Sequence, residues 1–241
     1  MKICRFEDRT EADHAAADLV AGWLAEPEFR HLMVAAGNTP LPLYGLIAAK
    51  RLALPHLHIH MLDEYVGVPV DEPRNCANLL RTHVAAAWGI PGERYHTISS
   101  HPDHALATAL AHQQRIETAG GLDAVILGLG QNGHLGFNEP GSPADSGARL
   151  VPLETISVEA NRLWFGGAYA PNTGITVGLK TLLQARRVIV LAYGPHKAAP
   201  VAAMAQSPPS VNCPASLLQS HPACWLFIDA SAGSRLATIP A

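Results

Sequence analysis

Apolar residues along the chain fall into two kinds of segment. In one they form short continuous runs, and in the other they recur every three or four positions. The runs predict strands over residues 2–6, 29–36, 57–62, 122–128, 175–179, 187–193 and 224–229. The helical spacing predicts helices over 10–24, 40–51, 76–88, 103–119 and 196–205, with a short helical turn ending near Ala185. Thr10 is the expected N-cap of the first helix, with Glu11 in its first turn, and Pro40 suits the first turn of the second. Strands alternating with helices of this length imply βαβ units and a mainly parallel sheet. Runs such as Val125-Ile126-Leu127 and Val188-Ile189-Val190-Leu191 fit strands covered on both faces. No repeat of fixed period and no linker divides the chain, so residues 1–241 are expected to form a single domain. Segments 140–147 and 171–174 read as loops or a mobile flap, and the tail 231–241 is expected to be partly disordered.

Composition narrows the function classes. Of 241 residues 48% are hydrophobic and 15% are charged, which excludes intrinsic disorder. Seventeen Lys and Arg against 20 Asp and Glu leave a net charge of −3, and the densest basic pairs are only Lys50-Arg51 and Arg186-Arg187. A nucleic-acid partner would need clustered basic residues, so none is expected. The apolar runs fall short of the roughly 20 residues of a membrane span, and no membrane association is expected. Acidic Glu7 and Asp8 follow the N-terminal strand where a secretory signal would stay apolar, so the chain reads as cytoplasmic. Cys4, Cys76, Cys213 and Cys224 have no C-x-x-C spacing and read as reduced thiols rather than disulfides or zinc ligands.

In an open parallel sheet, ligands bind beyond the carboxyl ends of the strands. Four polar segments start where apolar strands stop: 37–40, 63–67, 128–139 and 194–197. In the first, Gly37, Asn38 and Thr39 precede a helix start, an arrangement suited either to an anion site or to a plain capped turn. It lacks the lysine of a P-loop. In the second, Asp63 and Glu64 are adjacent on a strand, so they point to opposite faces and do different work. A carboxylate there serves as a general base if it is dry and as an acidic turn if it is wet. The third segment matches G-x-G-x-x-G at Gly128, Gly130 and Gly133, but its continuation His134-Leu135-Gly136-Phe137-Asn138-Glu139-Pro140 is a poor helix start, which argues against a nicotinamide cofactor. It reads instead as a glycine-rich loop carrying Asn132, His134 and Glu139, an arrangement suited to moving protons. Lys197 and Arg162 would complete a phosphate clamp with the Thr39 loop.

His56, His58 and His60 alternate and would share one strand face. Two or three of them would suit a transition metal, but no further ligand is evident, and a histidine-bearing edge strand is the simpler reading. His101, His104 and His112 are expected at the surface.

Three blocks carry a family resemblance: LDEYVG at 62–67, GLGQNGHLGFNEPG at 128–141 and TVGLKTLLQA at 176–185. With AGNTP at 36–40 and GPHK at 194–197, the match runs over roughly residues 30–229 in order and spacing. The chain resembles the aminosugar-6-phosphate deaminase/isomerase family, which shares a superfamily with the 6-phosphogluconolactonases. The 120–141 stretch, 174–185 and CPAS at 213–216 look closer to the galactosamine-6-phosphate branch than to the glucosamine enzymes.

The resemblance implies a Rossmann-like three-layer α/β sandwich. It implies conversion of a 2-amino-2-deoxyhexose 6-phosphate into a ketose 6-phosphate and ammonia, with neither a metal nor an organic cofactor. His134 would open the sugar ring, Glu139 would orient His134, and Asn132 would fill the third position of that relay, where some members carry Asp. Asp63 would move a proton from C2 to C1. Gly37, Asn38, Thr39, Arg162 and Lys197 would bind the phosphate, with Asn38 standing where many members have a second glycine. Segment 142–175 resembles the family's lid and is expected to close over bound sugar. Some relatives are allosterically activated hexamers, which makes a homo-oligomer an expectation, whereas the basic residues of the effector site have no clear match after Pro140. Two alternatives stay open at this point: lactone hydrolysis of the 6-phosphogluconolactonase type, although those enzymes resemble DGHxASLFP where this chain has NGHLGFNEP, and a non-catalytic sugar-phosphate sensor.

Overall fold

The computed structural model describes residues 1–237; the last four residues of the tail expected to be disordered lie outside the described residues. Among the described residues, ten strands form two sheets. Seven of them, β1 (Lys2–Phe6), β2 (His31–Val34), β3 (His58–Met61), β5 (Tyr95–His96), β6 (Ala124–Gly128), β9 (Val188–Ala192) and β10 (Cys224–Asp229), make one sheet in the order β1-β10-β9-β6-β2-β3-β5. Every neighbouring pair in it is parallel. Helices α1 (Arg9–Leu24), α2 (Leu41–Ala49), α4 (Pro102–Thr118) and α7 (Ala198–Gln206) follow their strands, the short α6 (Leu179–Leu183) leads into β9, and the central strands β6 and β9 are almost wholly buried. The expected α/β architecture with a mainly parallel sheet is the one observed.

The strand order explains why the four polar segments meet. They leave β9, β6, β2 and β3, which are consecutive neighbours in the sheet. Because these strands run parallel, all four segments emerge at one edge. From β2 the chain passes outward to β3, and from β6 it returns by way of β9 on the other side, so the β2/β6 boundary is a topological switch point.

The second sheet is antiparallel, in the order β4-β8-β7, and joins β4 (Asp63–Tyr65), β7 (Arg149–Pro152) and β8 (Thr173–Thr176). The chain changes sheets at Leu62, whose N–H still donates to Val34 in the first sheet while its carbonyl accepts from Val177 near the second. Asp63 is therefore the first residue past the switch.

Several sequence expectations need correction. Asp8, not Thr10, caps α1, its side chain accepting from the Glu11 N–H. The helix expected over 76–88 is divided into α3 (Cys76–Leu80) and a π-helical turn (Arg81–Ala86). The strand expected over 175–179 lies at Thr173–Thr176 and runs antiparallel. Helix α5 (Thr155–Trp164) lies within the lid-like segment 142–175, where the apolar pattern predicts no helix. Strand β3 is not at the edge, because the two-residue β5 covers it, and His56 precedes it on an exposed turn. His112 is buried, with its Nε2 3.0 Å from the Met61 carbonyl oxygen. It joins His31, His58, His60 and His96 in a packed group, in which His31 Nδ1 lies 3.1 Å from His60 Nε2 and His58 Nδ1 lies 3.0 Å from His96 Nε2.

Candidate active site

A cavity of about 280 Å³ opens at the switch point. Gly37, Asn38, Thr39, Asp63, His134 and Lys197 all line it, so one hollow gathers residues from the ends of four strands. A wider groove of about 850 Å³ shares Asn38, Gln131, Ile156, Ala160 and Trp164 with it and leads to solvent.

The loop after β2 carries Gly37 at φ +96°, a left-handed conformation that glycine adopts without strain. Helix α2 then starts without a side-chain cap. Its first N–H groups are thus free for an anion, as at other helix N-termini. Across the cavity, Lys197 ends a 3₁₀ turn (Pro195–Lys197) whose leading Gly194 N–H is held by the Asp229 carboxylate. Lys197 Nζ donates to the Leu129 carbonyl at 2.6 Å, and burial lowers its pKa to about 8.

Asp63 and Glu64 divide as the strand alternation requires. Glu64 turns inward and accepts the N–H groups of Tyr65 (2.8 Å), Cys76 (3.2 Å) and Ala77 (2.9 Å), which fastens β4 to the start of α3. Asp63 faces the cavity and accepts no side-chain or backbone hydrogen bond from the described residues. Burial, followed by the neighbouring Glu64 charge, raises its pKa to about 8. Gly136 packs against it: a Cβ there would stand 3.1 Å from Asp63 Oδ2.

The glycine-rich loop after β6 does not start a helix; it folds back through turns, and this shape delivers the histidine. His134 Nδ1 lies 3.2 Å from Glu139 Oε2, and the same oxygen accepts from Asn132 Nδ2 at 2.7 Å. Burial alone would raise the Glu139 pKa. The hydrogen bond and charge of His134, with hydrogen bonds from Ser157 and Asn132, outweigh it and hold the carboxyl at about 2. A side chain at Gly130 would collide with the imidazole, so that glycine is what lets the ring lie against the loop.

Asn132 and Glu139 stand one contact behind the cavity wall. Arg162 is not brought to it at all. Helix α5 presents Ile156, Ser157, Ala160, Asn161 and Trp164 to the cavity, and at 100° per residue Arg162 falls on the exposed side. Ser157 and Asn161 are buried members of the site that sequence reasoning missed, although their i, i+4 spacing as polar residues on a helix was a signal. Tyr65 was also missed; its hydroxyl donates to Asn161 Oδ1 at 2.9 Å and ties α5 to β4. Among the described residues no group of three or more His, Cys, Asp or Glu side chains is placed to hold a metal ion, and the histidines of β3 pair across the sheet, His60 with His31 of β2 and His58 with His96 of β5.

Known proteins resemble this chain in sequence and in fold. A glucosamine-6-phosphate deaminase of Cutibacterium acnes is 36% identical over 241 residues, spanning 98% of this chain and 92% of its own. One from Shewanella loihica is 34% identical, spanning 98% and 90%. Among solved structures, a monomeric glucosamine-6-phosphate deaminase superposes with a TM-score of 0.91 at 27% identity, covering 98% of this chain and all of that one. The 6-phosphogluconolactonase of Trypanosoma cruzi superposes with a TM-score of 0.80 at 20% identity over 98% and 97% of the two chains, a likeness of fold alone. The family profile described as glucosamine-6-phosphate isomerases/6-phosphogluconolactonase matches residues 8–226. With that span and those identities, the chain belongs to the glucosamine-6-phosphate isomerase/6-phosphogluconolactonase family.

Proposed function

We propose that the chain converts a 2-amino-2-deoxyhexose 6-phosphate into a ketohexose 6-phosphate and ammonia. The observation that carries this reading is the shared cavity: an anion cradle, a buried unpartnered carboxyl and a carboxylate-held imidazole all face one space that fits a single small sugar. The names of the relatives favour the gluco epimer over the galacto epimer suggested by sequence blocks.

The phosphate sits on the loop of Gly37, Asn38 and Thr39, opposite the Lys197 ammonium. His134, with Nδ1 committed to Glu139, uses Nε2 to take the proton of the anomeric hydroxyl and return it to the ring oxygen, which opens the ring. Asn132 has no charge to relay; it steadies Glu139. Asp63 then removes the C2 proton while O1 takes a proton from the C2 ammonium, giving an enaminol. The same carboxyl delivers its proton to C1, leaving an iminium at C2. Water adds to that carbon and ammonia leaves.

A carboxyl raised to about 8 is a strong base once ionised, and the substrate ammonium at C2 favours its ionised form. Fixing an open-chain sugar against both groups contributes further. Segment 142–175, which contains α5, is the proposed lid, and Arg162 takes part in phosphate binding only when it closes.

The test is an ammonia-release assay on glucosamine 6-phosphate and galactosamine 6-phosphate, run beside hydrolysis of 6-phosphogluconolactone. Ammonia from the gluco epimer is expected. Lactone hydrolysis without ammonia release from either sugar would overturn the assignment.

A further inference from the structure

Arg9 lies outside both cavities, at the first residue of α1, yet it touches the cradle. One of its nitrogens, Nη2, donates to two successive carbonyls of the loop after β2, those of Asn38 and Thr39, at 3.0 Å each. Its Nε donates to Asp13 Oδ2 at 3.2 Å, one helical turn further along α1. Its guanidinium also lies over the Tyr193 ring, 5.4 Å from the centroid. Tyr193 directly follows β9 and is joined through Gly194 to the turn that carries Lys197. The buried carboxyl of Asp13 gives the guanidinium a fixed counter-charge, and the aromatic face gives it a fixed plane.

The consequence is directional. The described chain has no cis peptide bond, so each peptide C=O and its N–H point opposite ways. Holding the Asn38 carbonyl on the outer side turns the Thr39 N–H away from Arg9, towards the side where Thr39 lines the cavity. The next residue is Pro40, which has no N–H to offer, so the Asn38–Thr39 peptide is the one whose setting matters most for an anion. A loop with Gly37 at positive φ and an exposed Asn38 has alternatives open to it that a bidentate clamp removes.

We propose that Arg9 is a positioning residue for phosphate recognition: it locks the Asn38–Thr39 peptide in the anion-binding orientation and ties that loop to the Lys197 turn through Tyr193. The inference deepens the proposed function and rests on it for the identity of the phosphate's carrier, though not for the anion site itself. Arg9 touches neither the sugar nor the reacting atoms, so its removal weakens phosphate binding and spares the chemical steps.

The experiment uses the full chain and the variants Arg9→Met and Arg9→Lys, with inorganic phosphate as the binding probe in calorimetric titration, and with steady-state kinetics on glucosamine 6-phosphate. Arg9→Met is expected to raise both the phosphate Kd and the sugar-phosphate KM about tenfold, the scale of lost charge-assisted hydrogen bonds, with kcat within about twofold. Arg9→Lys keeps the charge but not the planar fork, and is expected to fall between the two. If Arg9→Met does not fold, Arg9→Lys carries the same comparison. A phosphate Kd unchanged in the soluble variants, or a fall in kcat at constant KM, would overturn the proposal. So would a lowered melting temperature with both constants intact, since that is the mark of a structural strut alone. A wild type that binds phosphate without releasing ammonia sinks the proposed function and leaves the Arg9 comparison standing. A wild type that releases ammonia while Arg9→Met binds phosphate normally sinks the Arg9 role alone.

Discussion

Glu139 Oε2 sits 3.2 Å from His134 Nδ1, and this contact decides which nitrogen of the ring is left for the cavity. Glu139 is buried and held ionised, so it favours a proton on Nδ1 and leaves Nε2 as the acceptor. Glu139→Gln removes the charge and the tautomer preference together. Expected is a loss of kcat of roughly 10²-fold or more with little change in KM. Asn132→Ala is expected to cost less, because it removes a neutral support of Glu139 and the acceptor of the His134 backbone N–H but leaves the Glu139 charge in place. Steady-state kinetics on the two variants check the order; equal losses would contradict it.

Asp63 is expected to trade stability for function. Its folded pKa of about 8 lies far above the ordinary carboxylate range, so the folded chain holds that proton more tightly than the unfolded chain. The associated stability is present at acid pH and is lost as pH rises from about 4 towards about 8. Asp63→Asn stays neutral throughout. It should abolish measurable turnover, match the wild type in denaturant midpoint near pH 4, and exceed it near pH 9. In the active enzyme, kcat/KM should climb with pH up to about 8 as the base ionises. A variant that keeps full turnover would remove Asp63 from the mechanism.

Lys197 titrates at the same edge with the opposite consequence. Burial brings its pKa down to about 8, so its positive charge fades as pH rises through that value. The KM for a sugar phosphate should therefore rise above about pH 8, and Lys197→Ala should raise it about tenfold or more at neutral pH. Arg162→Ala distinguishes an open from a closed segment 142–175. If the lid closes, its KM also rises; an unchanged KM would leave the cradle and Lys197 as the whole phosphate site.

The histidine group beneath α4 predicts acid sensitivity. Burial lowers the pKa of His31, His58 and His60, and brings His96 and His112 to about 4. Like-charge repulsion among the rings adds to it, as do Arg30, Arg94, Arg115 and Arg186, while Asp123 opposes it at His31. The unfolded chain binds protons near pH 6.5 and the folded chain only well below, so this stability is complete above about 6.5 and is lost as pH falls towards about 4. His96→Gln should flatten the acid slope of the unfolding free energy by about one proton. An unchanged slope would show that the group is already charged in the folded chain.

Local pattern alone determined much of this protein. Runs such as Val188–Ala192 mark buried parallel strands because both faces must be apolar, and polar residues at their carboxyl ends mark the ligand edge. From these Asp63, His134, Lys197 and the Gly37–Asn38–Thr39 loop could be named before any coordinates, and the structure sets them in one cavity. What tertiary structure decided are pairings between residues far apart in the chain. Strand β4 is three residues long and exists because Thr176 and its neighbours lie opposite it; three residues carry no period of their own. His112 looked like a surface residue on a polar helix until Met61 supplied a partner 51 positions away. Arg162 sits outside the cavity because the rotational setting of α5 follows from docking, through Tyr65 and Asn161 among others. Arg9 reaches the cradle from 29 and 30 residues earlier in the chain. Periodicity and capping are short-range properties of the backbone, whereas the meeting of distant side chains depends on how the layers pack.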